Sequence, residues 1–359
     1  MDVQIDEQAH IFRRFAEVEI IEISPHYAYL SGEIARDPDL LSIVMAAARG
    51  QPTPNLFFAA VRFLLDRGSG TELLATYPTG FSTGRPVGSY RLFRSFVLEN
   101  RTEIERLLAS RRVQSNVVRR AAVLVLGLMK AAELFDDRPF VHIEIGASAG
   151  LTLLWERFSY AYGKDCEIGD ADSPVRIAPM IHGTPPITPG RRLPKVTGSI
   201  GIELEPARVE DNDAISWLRA LIHPEHSDNR DLFDAALEIA KSKPPQVLAG
   251  DALDLLPKVL GNLARGQPAN IYHSHTPNQF SSESRSRLDE ILSRASLAGP
   301  VTRLAFEGTK EGHSGLTITE YGNGRKHEPL VLANCEAHGR WIEWLATPSQ
   351  APSEPSERS

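Results

Sequence analysis

The chain has 359 residues, 42% hydrophobic and 24% charged, an ordinary globular composition long enough for one large domain or two. Its formal net charge of −7 argues against a dedicated nucleic-acid binder, which carries a basic field to neutralise phosphates. Its two cysteines, Cys166 and Cys335, are far apart and offer neither a disulfide framework nor a zinc spacing, so a reducing cytoplasm is the expected location.

The N-terminus, Met1 to Gln8, is acidic and polar, unlike a secretory signal. From there to about residue 135 the pattern is helical. Leu56, Phe57, Ala60, Val61, Leu64 and Leu65 recur at helical spacing, as do Leu92, Phe93, Phe96 and Val97, then Ile104, Leu107 and Leu108. Ser24-Pro25 reads as an N-cap and first-turn proline, and Tyr77 to Gly88 as a loop. Arg111, Arg112, Arg119 and Arg120 form a local basic patch. The apolar run Ala121 to Met129 is far shorter than the ~20 residues that cross a bilayer, so no membrane contact is expected.

The texture changes at Asp136-Asp137-Arg138-Pro139. Short apolar runs follow at Phe140–Ile145, Ser199–Leu204, Gln246–Ala249, Asn270–His273 and Val301–Phe306, as buried parallel strands do. Helical segments separate several of them, at Leu151–Phe158, Asp213–Ile222, Asp231–Ser242 and Ser281–Ala298. Leu316–Tyr321 and Pro329–Cys335 flank Gly322-Asn323-Gly324 and read as a β-hairpin. The expected class is α/β: a Rossmann-like, mostly parallel sheet with an antiparallel C-terminal hairpin, preceded by an all-helical N-terminal region. The expected organisation is a helical region over 1–135, an α/β domain over 136–346 with insertions at 159–197 and 206–243, and a disordered Pro- and Ser-rich tail over 347–359.

Chemistry points first to Glu144-Ile145-Gly146-Ala147-Ser148-Ala149-Gly150, a tight turn between a buried strand and a helix. Gly146 and Gly150 permit a ligand to approach the main chain, and the helix that follows would aim its free N–H groups at that ligand. Glu144 would sit at the mouth of the site. The same letters spell G-x-S-x-G, the nucleophile elbow of serine hydrolases, with Ser148 as nucleophile and Asp251 and His273, His275 or His313 downstream. An elbow follows several earlier strands, whereas this strand is the first of its sheet, which favours the nucleotide loop. A purely structural turn is a third possibility.

Two later strand ends also carry acids. Gly201-Ile202-Glu203-Leu204-Glu205-Pro206 supplies Glu203 or Glu205 where ribose hydroxyls are bound in nucleotide-binding sheets, although much further from the loop than is usual. Gly250-Asp251-Ala252 supplies an Asp that either reaches a base or caps the next helix. These three strand ends together resemble the first three motifs of class I S-adenosylmethionine-dependent methyltransferases. That resemblance spans roughly residues 138–345 as a fold and only the strand ends as motifs. It implies S-adenosylmethionine as cofactor, with Gly146, Ser148 and Gly150 along its methionine and ribose part, Glu203 on the ribose hydroxyls and Asp251 on the adenine. Four stretches resemble DUF2332, a bacterial family of unknown function, over nearly the full length: Arg49–Asn55, Val113–Asn116, Gly146–Trp155 and His273–Gln279. This second resemblance implies no chemistry.

The fourth strand runs into Tyr272-His273-Ser274-His275-Thr276-Pro277-Asn278-Gln279. Here His273 and His275 are the candidate catalytic groups, on one face if the strand continues, and Asn278 and Gln279 the candidate substrate contacts, joined by Tyr160 as part of an aromatic wall. No third ligand stands near the two histidines, so no metal is expected. His223-Pro224-Glu225-His226 is read as helix termination in preference to a metal site. The expected function is methyl transfer to a small molecule, with the helical region and both insertions over the acceptor. A serine hydrolase and a non-catalytic ligand-binding relative are the alternatives.

Overall fold

The computed structural model describes residues 2–345 apart from 81–88, 115, 165, 184–186, 188–189 and 277–279; the tail expected to be disordered, most of the Tyr77–Gly88 loop, Asn278 and Gln279 lie outside the described residues. Before residue 140 the described chain is helical. Helices α1 (Asp2–Arg14), α2 (Pro25–Ile34), α3 (Pro38–Val44), α4 (Thr53–Asp66), α5 (Thr71–Leu74), α6 (Ser89–Glu99), α7 (Arg101–Ser110) and α8 (Ala121–Leu134) follow one another, with a π-helical turn at Phe15–Glu19 and a 3-10 turn at Val118–Arg120. None of the described helices is long and apolar enough to cross a membrane.

Strand β1 (Phe140–Ile145) opens the mixed α/β part. After it come β2 (Ser159–Ala161), β3 (Glu167–Gly169), β4 (Arg176–Ile177), β5 (Met180–His182) and β6 (Val196–Glu203), then helices α9 (Asn212–Ala220) and α10 (Ser227–Ser242). The alternation resumes with β7 (Val247–Ala249), α11 (Ala252–Gly261), β8 (Ala269–Ser274), α12 (Ser282–Ala295) and β9 (Val301–Gly308). It ends in β10 (Ser314–Gly322), β11 (Arg325–Lys326), β12 (Leu330–Cys335) and β13 (Trp341–Trp344).

Contacts divide the chain into two compact units, residues 1–116 with 207–234, and 117–206 with 235–359. The first is helical. Its core is aromatic: Phe12, Phe57, Phe58 and Phe93 meet at edge-to-face or tilted angles, and Tyr27 stacks on Phe58 with ring centroids 4.1 Å apart. The segment after β6 belongs to this unit because it fills the unit's core. Trp217 of α9 packs edge-on to Phe63 and donates its indole N–H to Arg112 O at 2.8 Å, and Asp213 pairs with Arg67 and Arg111. Glu225 accepts from Ser24 Oγ at 2.6 Å and from His26 N at 2.8 Å, so it closes the N-terminus of α2. Among these contacts the carboxylate of His223-Pro224-Glu225-His226 serves a helix end.

The second unit holds a mostly parallel central sheet. Its strands run in the order β5-β13-β12-β10-β9-β8-β1-β6-β7, with β11 paired to β10. From β9 to β7 every neighbour is parallel. Strands β10, β12 and β13 run antiparallel to their neighbours on the β9 side, with the tight turn Asn323-Gly324 between β10 and β11. The segment 159–197, low in periodicity, forms a separate three-stranded sheet of β3, β2 and β4 and then adds β5 to the edge of the main sheet beside β13. These strands are too short to give a readable alternation.

Alternation along the central strands separates two faces. Val141, Ile143 and Ile145 of β1 and Ala269 and Ile271 of β8 share one apolar cluster with Leu256 of α11 and Leu288 and Leu292 of α12. The intervening residues face α8, which is apolar nearly all round and buried as such helices are. On that face stands a polar row. Thr302 Oγ1 donates to Asn270 Oδ1 at 3.0 Å, and Asn270 Nδ2 lies 3.1 Å from His142 Nδ1. Burial pushes the His142 imidazole down to about 3, so it is neutral and its Nδ1 is free to accept the amide proton.

Helix α8 approaches the sheet most closely at Gly127, where a Cβ would lie 2.8 Å from Leu304 Cδ2 and 2.9 Å from Cδ1. Alanine would raise helix propensity by ~1 kcal/mol but overpack this contact. Gly127→Ala is therefore expected to lower stability by about 1–2 kcal/mol in urea unfolding; a variant as stable as the parent would show that Leu304 yields freely.

Candidate functional site

The turn after β1 lies over the end of β6. Gly146 N and Ala147 N both donate to Ile202 O, at 2.8 and 3.4 Å. Gly146, Ser148 and Gly150 all have positive φ, at 76°, 52° and 73°. The two glycines are also required by packing inside the protein. A Cβ on Gly146 would lie 2.4 Å from Thr276 Oγ1, and one on Gly150 2.8–2.9 Å from Val247 and Pro245. Ser148, a non-glycine residue in the left-handed region, is held there by the Glu203 carboxylate: Oε2 accepts from Ser148 N at 2.9 Å, and Oε1 from Leu204 N at 2.8 Å. The acid at the end of the second strand is thus bonded directly to the turn after the first.

The helix expected over Leu151–Phe158 is a seven-residue 3-10 helix, Leu151–Arg157. Gly150 N bonds Ala147 O and Leu153 N bonds Gly150 O, both three residues back, which winds the chain more tightly than an α-helix. Its short, poorly aligned peptide dipoles remove the helix-dipole argument for a ligand at this turn.

Glu144 is the last α8-facing residue of β1. It is 4% exposed, and Thr152 Oγ1 sits 2.8 and 2.7 Å from its two oxygens. Burial, with the charge of Glu203 adding to it, pushes the Glu144 carboxyl up to about 7 despite the Thr152 hydroxyl. Level with Glu144 on β8 is Tyr272, wholly buried with a hydroxyl that makes no well-formed hydrogen bond. One step further along that face, Ser274 Oγ accepts from Arg120 Nη1 at 3.0 Å, while Arg120 Nε donates to Ala337 O at 2.9 Å. Arg120 is therefore buried, unlike the surface patch its neighbours suggest, and burial lowers the pKa of its guanidinium.

The two candidate histidines separate. Strand β8 ends at Ser274, and His275 takes φ 52°, which breaks the alternation expected to place both rings on one face. His273 stays on the α12-facing side with its Nδ1 2.8 Å from Glu307 Oε1. His275 turns to meet Phe306 edge-on and places Nε2 3.3 Å from Ser314 Oγ. Burial lowers both rings, His273 against the opposing pull of Glu307, and His275 to about 3.

Tyr160 is not on a crevice wall. It is wholly buried, and its hydroxyl donates to Trp155 O at 2.7 Å, so it supports the 3-10 helix from below. Asp251 caps α11, with Oδ1 accepting from Leu253 N at 2.7 Å, while its carboxylate stays exposed. Among the described residues no group of three His, Cys, Asp or Glu side chains could hold a metal ion. Sequence reasoning missed Thr152, Tyr272, Ser274 and Glu307, and gave Arg120 the wrong environment. The available signal was an Arg pair directly before a helix with no polar face, since a charge there has little surface on which to lie.

A family model described as "Uncharacterized protein conserved in bacteria (DUF2332)" matches residues 9–344, and the chain belongs to that family. No curated protein matches it.

An acid with a folded pKa above its unfolded value, here about 7 against ~4.3, binds its proton more tightly in the fold. Its contribution to stability is then full below the unfolded pKa and is lost as pH rises towards the folded one. Between pH 5 and 8 the parent is expected to lose on the order of 3 kcal/mol relative to Glu144→Gln, measured by denaturant unfolding across pH. An offset between the two proteins that does not change with pH would show that Glu144 titrates normally.

Proposed function

We propose that this member of the family binds S-adenosylmethionine at the carboxyl ends of β6, β1 and β8 and methylates a small molecule. Numbered along the chain, the five parallel strands β7-β6-β1-β8-β9 stand in the order third, second, first, fourth and fifth. That is the Rossmann-like doubly wound order, in which ligands bind where the order reverses, beside the first strand. The antiparallel β10 and β12 form the non-parallel side that the methyltransferase resemblance implies.

The observation that carries the reading is the bond from Ser148 N to Glu203 Oε2. It places the glycine turn of the first strand and the acid of the second against each other, where one nucleoside would touch both. Each Glu203 oxygen accepts one main-chain proton and keeps a lone pair for a ribose hydroxyl. The buried, unpartnered Ser148 Oγ fits a polar group lying over the turn. Asp251, exposed at the end of β7, would take the adenine amino group through the oxygen that does not cap α11. When bound, the sulfonium supplies an already activated methyl group, so the protein's task is alignment and the removal of one proton. Glu144, with a carboxyl raised to about 7, is the group at this end that can take a proton near neutrality; His275, lowered to about 3 by burial, stays neutral and can only share a hydrogen bond. His273, fixed by Glu307, is a positioning residue in this reading.

The hydrolase alternative finds less support. Ser148 shares the strained backbone of a nucleophile elbow, but its Oγ has no hydrogen-bond partner, and His273 and His275 bond Glu307 and Ser314 instead.

Calorimetric titration of the folded protein with S-adenosylmethionine and S-adenosylhomocysteine is expected to show one site per chain. Glu203→Ala should weaken it at least tenfold, about 1.4 kcal/mol. No heat at high protein concentration would overturn the reading, and labelling of Ser148 by a fluorophosphonate would turn it toward the hydrolase.

A further inference from the structure

We infer that the molecule methylated at this end of the sheet carries a carboxylate and that Arg120 is the residue that pairs with it. The inference rests on the methyltransferase reading for the word methylated; the anion site itself stands on the geometry alone.

Arg120 is 7% exposed, yet among the described residues no carboxylate lies within ion-pair distance of it. Its two hydrogen bonds go to neutral oxygens, Ala337 O and Ser274 Oγ. A buried cation without a counter-charge costs several kcal/mol, a penalty that a bound anion removes. The carboxylates that act on it from further away are Glu336, Glu307 and Glu144. Each is engaged elsewhere. Glu336 Oε2 accepts from His338 N and Arg340 N, Glu307 Oε1 faces His273, and Glu144 holds Thr152. Glu307 Oε2, buried and without a partner of its own, stays outside ion-pair distance of the guanidinium.

The surroundings suit an oxyanion. Tyr272 is wholly buried on the same face of β8, two residues before Ser274, and its hydroxyl, without a well-formed hydrogen bond, interacts with Ser274, which also accepts from Arg120. A hydroxyl and a planar guanidinium fork are a set that recognises a carboxylate. Arg120 bonds the end of β8, on the far side of β1 from Glu203 on β6 and Asp251 after β7. That places it with the acceptor and away from the nucleoside. S-adenosylmethionine also carries a carboxylate, so the two sources must be separated.

Acetate, butyrate and benzoate, each beside its amide, would be titrated against the full chain by saturation-transfer NMR, with and without saturating S-adenosylhomocysteine. At least one carboxylate is expected to bind ten times more tightly than its amide, and to keep binding when S-adenosylhomocysteine is present. Arg120→Lys should weaken it at least tenfold. Tyr272→Phe, which removes the hydroxyl and keeps the packed ring, should fold normally and weaken it several-fold. Equal binding of acid and amide, binding of neither, or binding unchanged in both variants would overturn the anion site. Displacement of the carboxylate by S-adenosylhomocysteine, with Arg120→Lys weakening that compound too, would reassign Arg120 to the cofactor. Should S-adenosylhomocysteine not bind at all, the acid–amide comparison still reads the anion site, and only the methyl-transfer reading falls.

Discussion

At one end of a parallel sheet a carboxylate, a guanidinium and a phenol are held out of water with no ion pair among them. Glu144 is buried against Thr152, Arg120 against a carbonyl and Ser274, and Tyr272 beside that same Ser274 without a well-formed hydrogen bond. Groups of this kind are expensive to bury, and a fold that only needed a core would place apolar side chains there. Two residues further down the same strands, His142, Asn270 and Thr302 are also buried and polar, but there the hydrogen bonds run from strand to strand. The lower rung is tied across β1, β8 and β9 apart from an unpartnered His142 Nε2, and the buried carboxyl and guanidinium lie at the upper rung.

The register of β6, β1 and β8 produces that end. Parallel pairing sets Glu144 level with Gly201 and Tyr272, so alternation sends Glu144 and Tyr272 to the α8 face together. Gly201 has no side chain because a Cβ would meet Ala147 Cβ at 2.7 Å, which lets the turn after β1 sit down on β6. Glu203 then reaches back to Ser148 N. The apolar α8 covers the face from the other side, and the 3-10 turn that leads into it delivers Arg120 to the end of β8. Every member of the cluster is thus positioned by backbone register or by a helix end.

Much of this was legible in the sequence because buried parallel strands are continuous apolar runs. Phe140–Ile145 is matched residue for residue, and the other four runs lie within a few residues of the strands observed. The failures have physical causes. Leu151–Phe158 has helical spacing, but its geometry is set by the positive-φ Gly150 and by Thr152 bonding back to Glu144, which no periodicity reveals. His273-Ser274-His275 alternates in sequence, yet alternation means nothing once the strand ends and φ changes sign. Tyr160 is indistinguishable by type from a crevice residue until its hydroxyl is seen on Trp155 O. Arg120 sits among other arginines, and only the three-dimensional path shows which of them is buried. The segment 207–234 belongs with the helical unit through Trp217, Asp213 and Glu225, all long-range contacts.

The central claim is that the turn 146–150 and Glu203 together hold an adenosyl group. A crystal structure grown with S-adenosylhomocysteine tests this most directly. The ribose hydroxyls are expected on Glu203, the adenosyl group over the turn, and the adenine beside Asp251. Density for the compound at any other site, or a fully formed crystal with this crevice holding none of it, would contradict the account.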